Sequence, residues 1–424
     1  MLDYRKEILP NGVRIVTEEI PYIRSVAIGI WVGVGSRDED EHNNGVSHFI
    51  EHLLFKGTKN RTAKQIAEAL EAVGGQLNAF TTKEYTCYYA RALDEHFDLA
   101  VDILSDIFFN SLFDPKVIDT ERNVILEEIH MYEDSPDELI HDLFAQVIWQ
   151  GHPLGRPILG TMATVSSLTH ADIINYFQKH YVPEDVVIAV AGRVEHAAVM
   201  DKLGPVFGAW ERERVPKNAE APVARATTVM SEKKTEQIQI CLGTPGVAQT
   251  DDRLYILHVL NNVLGGGVSS RLFQEIREER GLAYSVYSYH SAYRDSGLFS
   301  IYAGTSPNNM EMVLELIMEE ISKIKREGIT QAEIERTKNQ IKGNLYLGLE
   351  NVNSRMSRLG KSELCYGRII SPDEVIAKIE KVTADDLINL AREMFNVNKF
   401  ALATIGPKRE TPADMGFWLN KAGL

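Results

Sequence analysis

Residues 47–58 read SHFIEHLLFKGT. His48 and His52 stand four apart, and Glu51 directly precedes the second histidine. Imidazoles at i and i+4 lie on one face of a helix and suit two ligands of a tetrahedral zinc ion. Glu51 shares that face. A carboxylate there can take a proton from a metal-activated water without occupying the metal. At about 100° per residue, His48, Glu51, His52 and Phe55 cluster on one side, with Phe49, Ile50, Leu53 and Leu54 on the other. The segment is expected to bury an apolar face and turn a chemical face to a cleft. The order H-x-x-E-H reverses the zincin order H-E-x-x-H. A pair of hydrogen-bonded histidines at a helix end is the alternative reading.

A zinc site needs a third protein ligand. The segment DTERNVILEEIHMYED reads as a second helix, on which Glu121, Val124, Ile125, Glu128 and Tyr132 share one stripe. Two carboxylates in an otherwise apolar stripe imply a cation or a donor, because an unpaired buried charge is costly. Glu128 is the expected ligand. Glu121, one helical repeat earlier, is placed to hold a ligand histidine or the attacking water. Ion pairs with Arg or Lys are the alternative for both. Glu127 and His130 point elsewhere, and Asp134 is a lesser candidate for orienting an imidazole.

The elements that carry these residues repeat. THADIINYFQKHYVPEDVVIAVAG, from Thr169, matches TADDLINLAREMFNVNKFALATIG, from Thr383, at an offset of 214 residues. The same offset lays Glu121-Arg122 on Glu335-Arg336. Each half runs strands, a helix, further strands, several helices and a closing strand. This order predicts an α+β fold of two homologous domains, each a mainly antiparallel sheet packed with helices. The expected boundaries are 1–211 for the metal-binding domain, 212–228 for a linker rich in Pro, Ala and charge, and 229–424 for the duplicate. The offset also carries His48, Glu51 and His52 to Asn262, Gly265 and Gly266, and Glu128 to Lys342. The duplicate therefore lacks a ligand set, which predicts one zinc per chain.

HFIEH with ERNVILEEIHMYEDSP downstream resembles the inverzincin metallopeptidases, the family of pitrilysin, insulysin and the mitochondrial processing peptidase. The length of 424 residues resembles the processing-peptidase branch that bacteria also carry. The resemblance implies zinc held by His48, His52 and Glu128, Glu51 as the base and Glu121 as a supporting glutamate. It implies that Phe55 lines the substrate site. GGQLNAFTTKEYT resembles the family's active-site edge strand, with Asn78 and Ala79 facing substrate. Arg277 and Tyr284 match an arginine–tyrosine pair that donates to a peptide carbonyl and to the developing oxyanion. Gly265, Gly266 and Gly267 match a glycine-rich segment that also ends a helix.

A net charge of −15 argues against general nucleic-acid binding. No run approaches the roughly 18 uncharged apolar residues of a membrane span, and the charged N-terminal stretch does not read as a signal peptide. Cys87, Cys241 and Cys365 lie far apart and read as reduced thiols, so the cytoplasm is the expected compartment. The expected activity is zinc-dependent endopeptidase action on peptides or unfolded and flexible protein segments. The resemblance further implies a homodimer that closes a chamber. The alternative is a catalytically silent or partner-dependent structural subunit of the same fold. Keeping His48, Glu51, His52, Glu128, Arg277 and Tyr284 together favours the enzyme.

Overall fold

A computed structural model describes residues 4–216 and 220–408. Residues 217–219 of the expected linker lie outside the described residues. The chain packs as two compact units. Among the described residues, unit 1 gathers 4–130, 156–216 and 346–371, and unit 2 gathers 131–155, 220–345 and 372–408.

Unit 1 is built on β1 (Tyr4–Ile8), β2 (Arg14–Glu19), β3 (Ser25–Val32), β4 (Gln76–Thr81), β5 (Thr86–Leu93) and β6 (Val186–Gly192), in the spatial order β1-β2-β6-β3-β5-β4. The β2–β6 pair is parallel and the rest are antiparallel. Unit 2 has β7 (Thr228–Glu232), β8 (Ile238–Pro245), β9 (Ala283–Ala292), β10 (Gly297–Thr305) and β11 (Ala401–Gly406), ordered β7-β11-β8-β10-β9. Its parallel pair is β7–β11. Element by element this is the order of β2 to β6, so the duplication seen in the sequence is a duplication of the fold. Each sheet is mainly antiparallel, as expected, with one parallel pair. Those pairs arise from β2 and β7, whose short charged sequences carry little apolar pattern.

Period-two alternation explains why β3 is buried on both faces. Val26, Ile28, Ile30 and Val32 enter one core, and Ala27 and Trp31 enter another on the opposite face. The first core takes the apolar sides of helices α1 (Val46–Leu54), α2 (Ala63–Glu71), α3 (Phe97–Asn110) and α4 (Pro115–Glu133). The second is covered by a helix from far along the chain, Val352–Tyr366, through Val352, Met356 and Leu359. In unit 2 the corresponding sheet face is covered by α5 (Pro136–Ile148), through Ile140, Phe144 and Ile148. The offset of 214 carries α5 to residues 350–362, so the two halves exchange equivalent helices. The sequence halves thus each lend one helix to the other's unit.

The ends of α1 and α4 are fixed by local chemistry. The buried carboxylate of Glu39 accepts from the N–H groups of Gly45 and Ser47, at 2.8 Å each, and caps the start of α1. Asp114 accepts from the Lys116 N–H at 2.8 Å, and Pro115 occupies the first position of α4. Among the described residues no helix is long and apolar enough to cross a membrane.

Gly360 marks a close approach. A Cβ there would stand 2.2 Å from the Trp31 indole nitrogen. Helix propensity alone would favour Ala over Gly by about 1 kcal/mol, but overpacking a rigid core costs about 1–3 kcal/mol. Gly360→Ala is therefore expected to lower stability, read as an earlier urea midpoint by tryptophan fluorescence. A later midpoint would contradict this packing.

Candidate metal centre

The helix α1 meets the apolar expectation. Phe49, Ile50, Leu53 and Leu54 are all buried in the unit 1 core. His48, Glu51 and His52 are left on the opposite side. On α4, Ile125 and Ile129 enter the same core, which turns Glu121 and Glu128 towards α1. Val124, expected on the apolar stripe, is half-exposed instead.

His48, His52 and Glu128 converge, with one ligand atom from each lying within 4.8 Å of the others. The Nε2 atoms of His48 and His52 lie 3.8 and 3.6 Å from the same carboxylate oxygen, Glu128 Oε2. These separations are too long for hydrogen bonds. They are close to the ~3.4 Å edge of a zinc tetrahedron with bonds of about 2.0–2.1 Å. The two rings meet edge-on, with centroids 4.5 Å apart at 67°.

Electrostatics agree with that fit. Burial, aided by the neighbouring His52, pushes the His48 imidazole down to about 3. At neutral pH it is uncharged, so no ion pair explains its place beside Glu128. Its Nδ1 is buried without a hydrogen-bond partner among the described residues. In the neutral ring with its proton on Nδ1, the Nε2 lone pair is available to coordinate a metal. Two imidazoles and a carboxylate form a donor set that fits zinc.

Glu121 lies where the wheel placed it, with Oε1 2.8 Å from His52 Nδ1. Burial raises this carboxyl, but bonds from His52 and Lys56 outweigh burial and hold it below the usual carboxylate value. Asp134 is exposed and lies 3.7 Å from Lys233, so it is not the group beside an imidazole. His130 is exposed, as expected.

Glu51 sits beside the cluster without joining it. Its Oε2 accepts from the Thr81 hydroxyl at 2.5 Å. Burial raises its carboxyl above the ordinary value, partly opposed by that bond. Thr81 ends β4, the edge strand of the sheet. Asn78 and Ala79 lie on this strand opposite Tyr89 and Tyr88 of β5. The Ala79 N–H donates to Asn78 Oδ1 at 2.8 Å. Phe55 lines a cavity of about 480 Å³ with Ile66, Leu70, Leu77, Asn78 and Tyr89.

Arg277 and Tyr284 also meet each other. The guanidinium carbon lies 4.7 Å from the Tyr284 ring centroid and 4.7 Å from that of Phe273. Both belong to unit 2, where Arg277 sits in a π-helical turn, Phe273–Glu278. Tyr284 is 77% exposed, so it is a surface group on the edge strand β9 and not a core tyrosine. The helix Leu254–Gly265 ends at the glycine run, as expected, with Gly266 as its cap. Lys342, the counterpart of Glu128, lies on the helix Gln331–Gly348.

The profile described as "Insulinase (Peptidase family M16)" matches residues 14–162, and that described as "Peptidase M16 inactive domain" matches residues 167–341. An uncharacterized zinc protease of Bacillus subtilis, YmxG, is 48% identical over 95% of this chain and 98% of its own. The chain belongs to peptidase family M16. An uncharacterized zinc protease of Streptomyces coelicolor, SCO5738, is 46% identical over 96% of this chain and 91% of its own. The solved structure of a Helicobacter pylori protease superposes with a TM-score of 0.89 at 23% identity, covering 96% of this chain and all of that one. The M16 inactive-domain structure from Pseudomonas fluorescens gives 0.90 at 20% identity over 97% of this chain and 99% of its own, so the M16 fold is common to all three.

Two residues of this M16 site were not singled out from the sequence. Lys56 places Nζ 2.8 Å from Glu121 Oε2, and Thr81 holds Glu51. Lys56 follows His52 by four residues, a spacing that was a usable signal. Thr81 had none, because its contact bridges a strand and a helix.

Zinc binding at this cluster requires that the metal stabilise the fold. At free zinc near 1,000 times its Kd, the expected gain is about 4 kcal/mol. Thermal melts with and without zinc should show an upward shift that His52→Ala abolishes. An equal shift in both proteins would place the metal elsewhere.

Proposed function

We propose that this chain is a zinc-dependent endopeptidase that hydrolyses peptides and unfolded or flexible protein segments. The observation that carries the reading is the meeting of His48, His52 and Glu128 within 4.8 Å, with Glu51 directly before His52 on the same helix. Family membership supports peptidase chemistry, and the relatives' names as zinc proteases support the metal.

His48, His52 and Glu128 hold the ion. A bound zinc supplies a water with its pKa lowered towards neutrality and polarises the scissile carbonyl. Glu51 is the general base. Its Oε2 is engaged by Thr81, which fixes the carboxylate and leaves Oε1 to accept the proton and return it to the leaving amine. Arg277 and Tyr284 are assigned to the oxyanion, as the family resemblance implies.

The substrate lies extended along β4. That strand pairs with β5 on one side only, so its outer edge can accept a peptide by main-chain bonds. Asn78 occupies the Ala79 N–H until a substrate carbonyl replaces it. Thr81, at the end of the same strand, ties the peptide's path to Glu51. Folded domains cannot add a strand there, which restricts the substrate to extended segments. Phe55 and the cavity beside it receive an apolar side chain.

A homodimer is the assembly we assign, the symmetric route by which a two-unit chain closes a chamber. Sedimentation showing a monomer at the active concentration would remove it. A cytoplasmic setting accords with Cys87, Cys241 and Cys365 being outside any disulfide.

Glu51→Gln is expected to keep zinc and lose about 10²–10⁴-fold in kcat, whereas Glu128→Gln loses zinc. Metal analysis with peptide hydrolysis checks both, and equal zinc loss in the two variants would refute the division of roles. A wild-type chain with full zinc and no hydrolysis would favour a partner-dependent subunit. Ala79→Pro removes one main-chain donor from an edge position that tolerates proline. It should raise KM for extended peptides while zinc content stays unchanged, and an unaltered KM would exclude strand addition at β4.

A further inference from the structure

Lys56 has no part in the mechanism above. It follows Phe55, the residue that caps α1, and its backbone N–H returns to the Leu53 carbonyl at 3.0 Å. That turn sends its side chain across to α4. There Nζ lies 2.8 Å from Glu121 Oε2, while Glu121 Oε1 lies 2.8 Å from His52 Nδ1. The two oxygens of one buried carboxylate are thus divided between a cation and a metal ligand.

This division has a consequence for His52. A carboxylate paired with an ammonium is an acceptor only, so the ring atom facing it must be an N–H. Nδ1 is thereby committed to Glu121, which leaves Nε2, 3.6 Å from Glu128 Oε2, as the ring atom to present to a metal. Lys56 also accounts for the burial of Glu121, whose side chain is only 4% exposed. Without Lys56, Oε2 would be a buried anionic oxygen lacking a partner, and the carboxylate would turn towards water and loosen its hold on the ring.

We propose that Lys56 is a positioning residue for the metal centre, acting through Glu121 to hold His52 with Nε2 presented to zinc. The inference rests on the zinc reading above. A lysine near a divalent cation ordinarily weakens its binding by repulsion. Here the charge of Lys56 is matched at contact distance by Glu121, so orientation dominates.

The test is zinc affinity of the full chain, measured by competition with a chromophoric chelator. Lys56→Met should bind zinc about 10-fold more weakly, the cost typical of losing a group that orients a ligand. Lys56→Arg should restore the affinity, since it keeps the charge and a donor. In a Glu121→Gln background, Lys56→Met should add nothing, because its path to the metal has already been cut. Lys56→Gln serves as a second neutral variant should Lys56→Met fail to fold, with circular dichroism checking each protein. Unchanged or tighter zinc binding in the neutral variants, no recovery with arginine, or full additivity with Glu121→Gln would each overturn the proposal. A wild-type chain that takes up no zinc would instead overturn the metal reading itself, and this inference with it.

Discussion

The hydrogen bond between His52 Nδ1 and Glu121 is the interaction on which this site depends. It joins two helices whose partners are 69 residues apart and sets one face of an imidazole against α4. Seven residues after Glu121, about 10.5 Å along the helix, Glu128 reaches the opposite edge of that ring. His48, one turn before His52, meets the same Glu128 oxygen. One contact therefore fixes the approach of both imidazoles to a shared carboxylate. The unit 1 core supports it from below, since α1 and α4 bury Phe49, Ile50, Leu53, Ile125 and Ile129 together.

Burial decides the charge state of each group. His48 is too deeply buried to hold a proton and becomes a neutral donor. Glu121 is also buried, yet its partners keep it ionised. Glu51 is raised by burial and steadied by one hydroxyl. Three groups within one short helix and its neighbour thus differ in proton affinity because their partners differ. The edge strand contributes through the same contact, because Thr81 belongs both to β4 and to the surroundings of Glu51.

Much of this was legible in the sequence, for definite reasons. The spacing of His48, Glu51 and His52 is a local property of a 3.6-residue helix, so the shared face followed directly. Glu121 and Glu128 stood out because carboxylates interrupt an apolar stripe, and both reached the imidazoles. The duplicated topology followed from the 214-residue offset. Other features depend on tertiary contacts that no local pattern encodes. The exchange of α5 with the helix Val352–Tyr366 is one, because the two are equivalent copies and either could cover either sheet. The parallel pairs made by β2 and β7 are another, since these short charged strands show little alternation. Lys56 and Thr81 are common residue types whose meaning comes only from their partners. Tyr284 was singled out only by the family resemblance, since nothing local to its strand announces that its ring is exposed.

The most direct measurement is an anomalous difference map at the zinc absorption edge, from crystals of the zinc-loaded chain. A single strong peak should lie within about 2.2 Å of Nε2 of His48, Nε2 of His52 and one oxygen of Glu128. A peak bonded to other residues, with Glu128 turned away from both rings, would contradict the site as described.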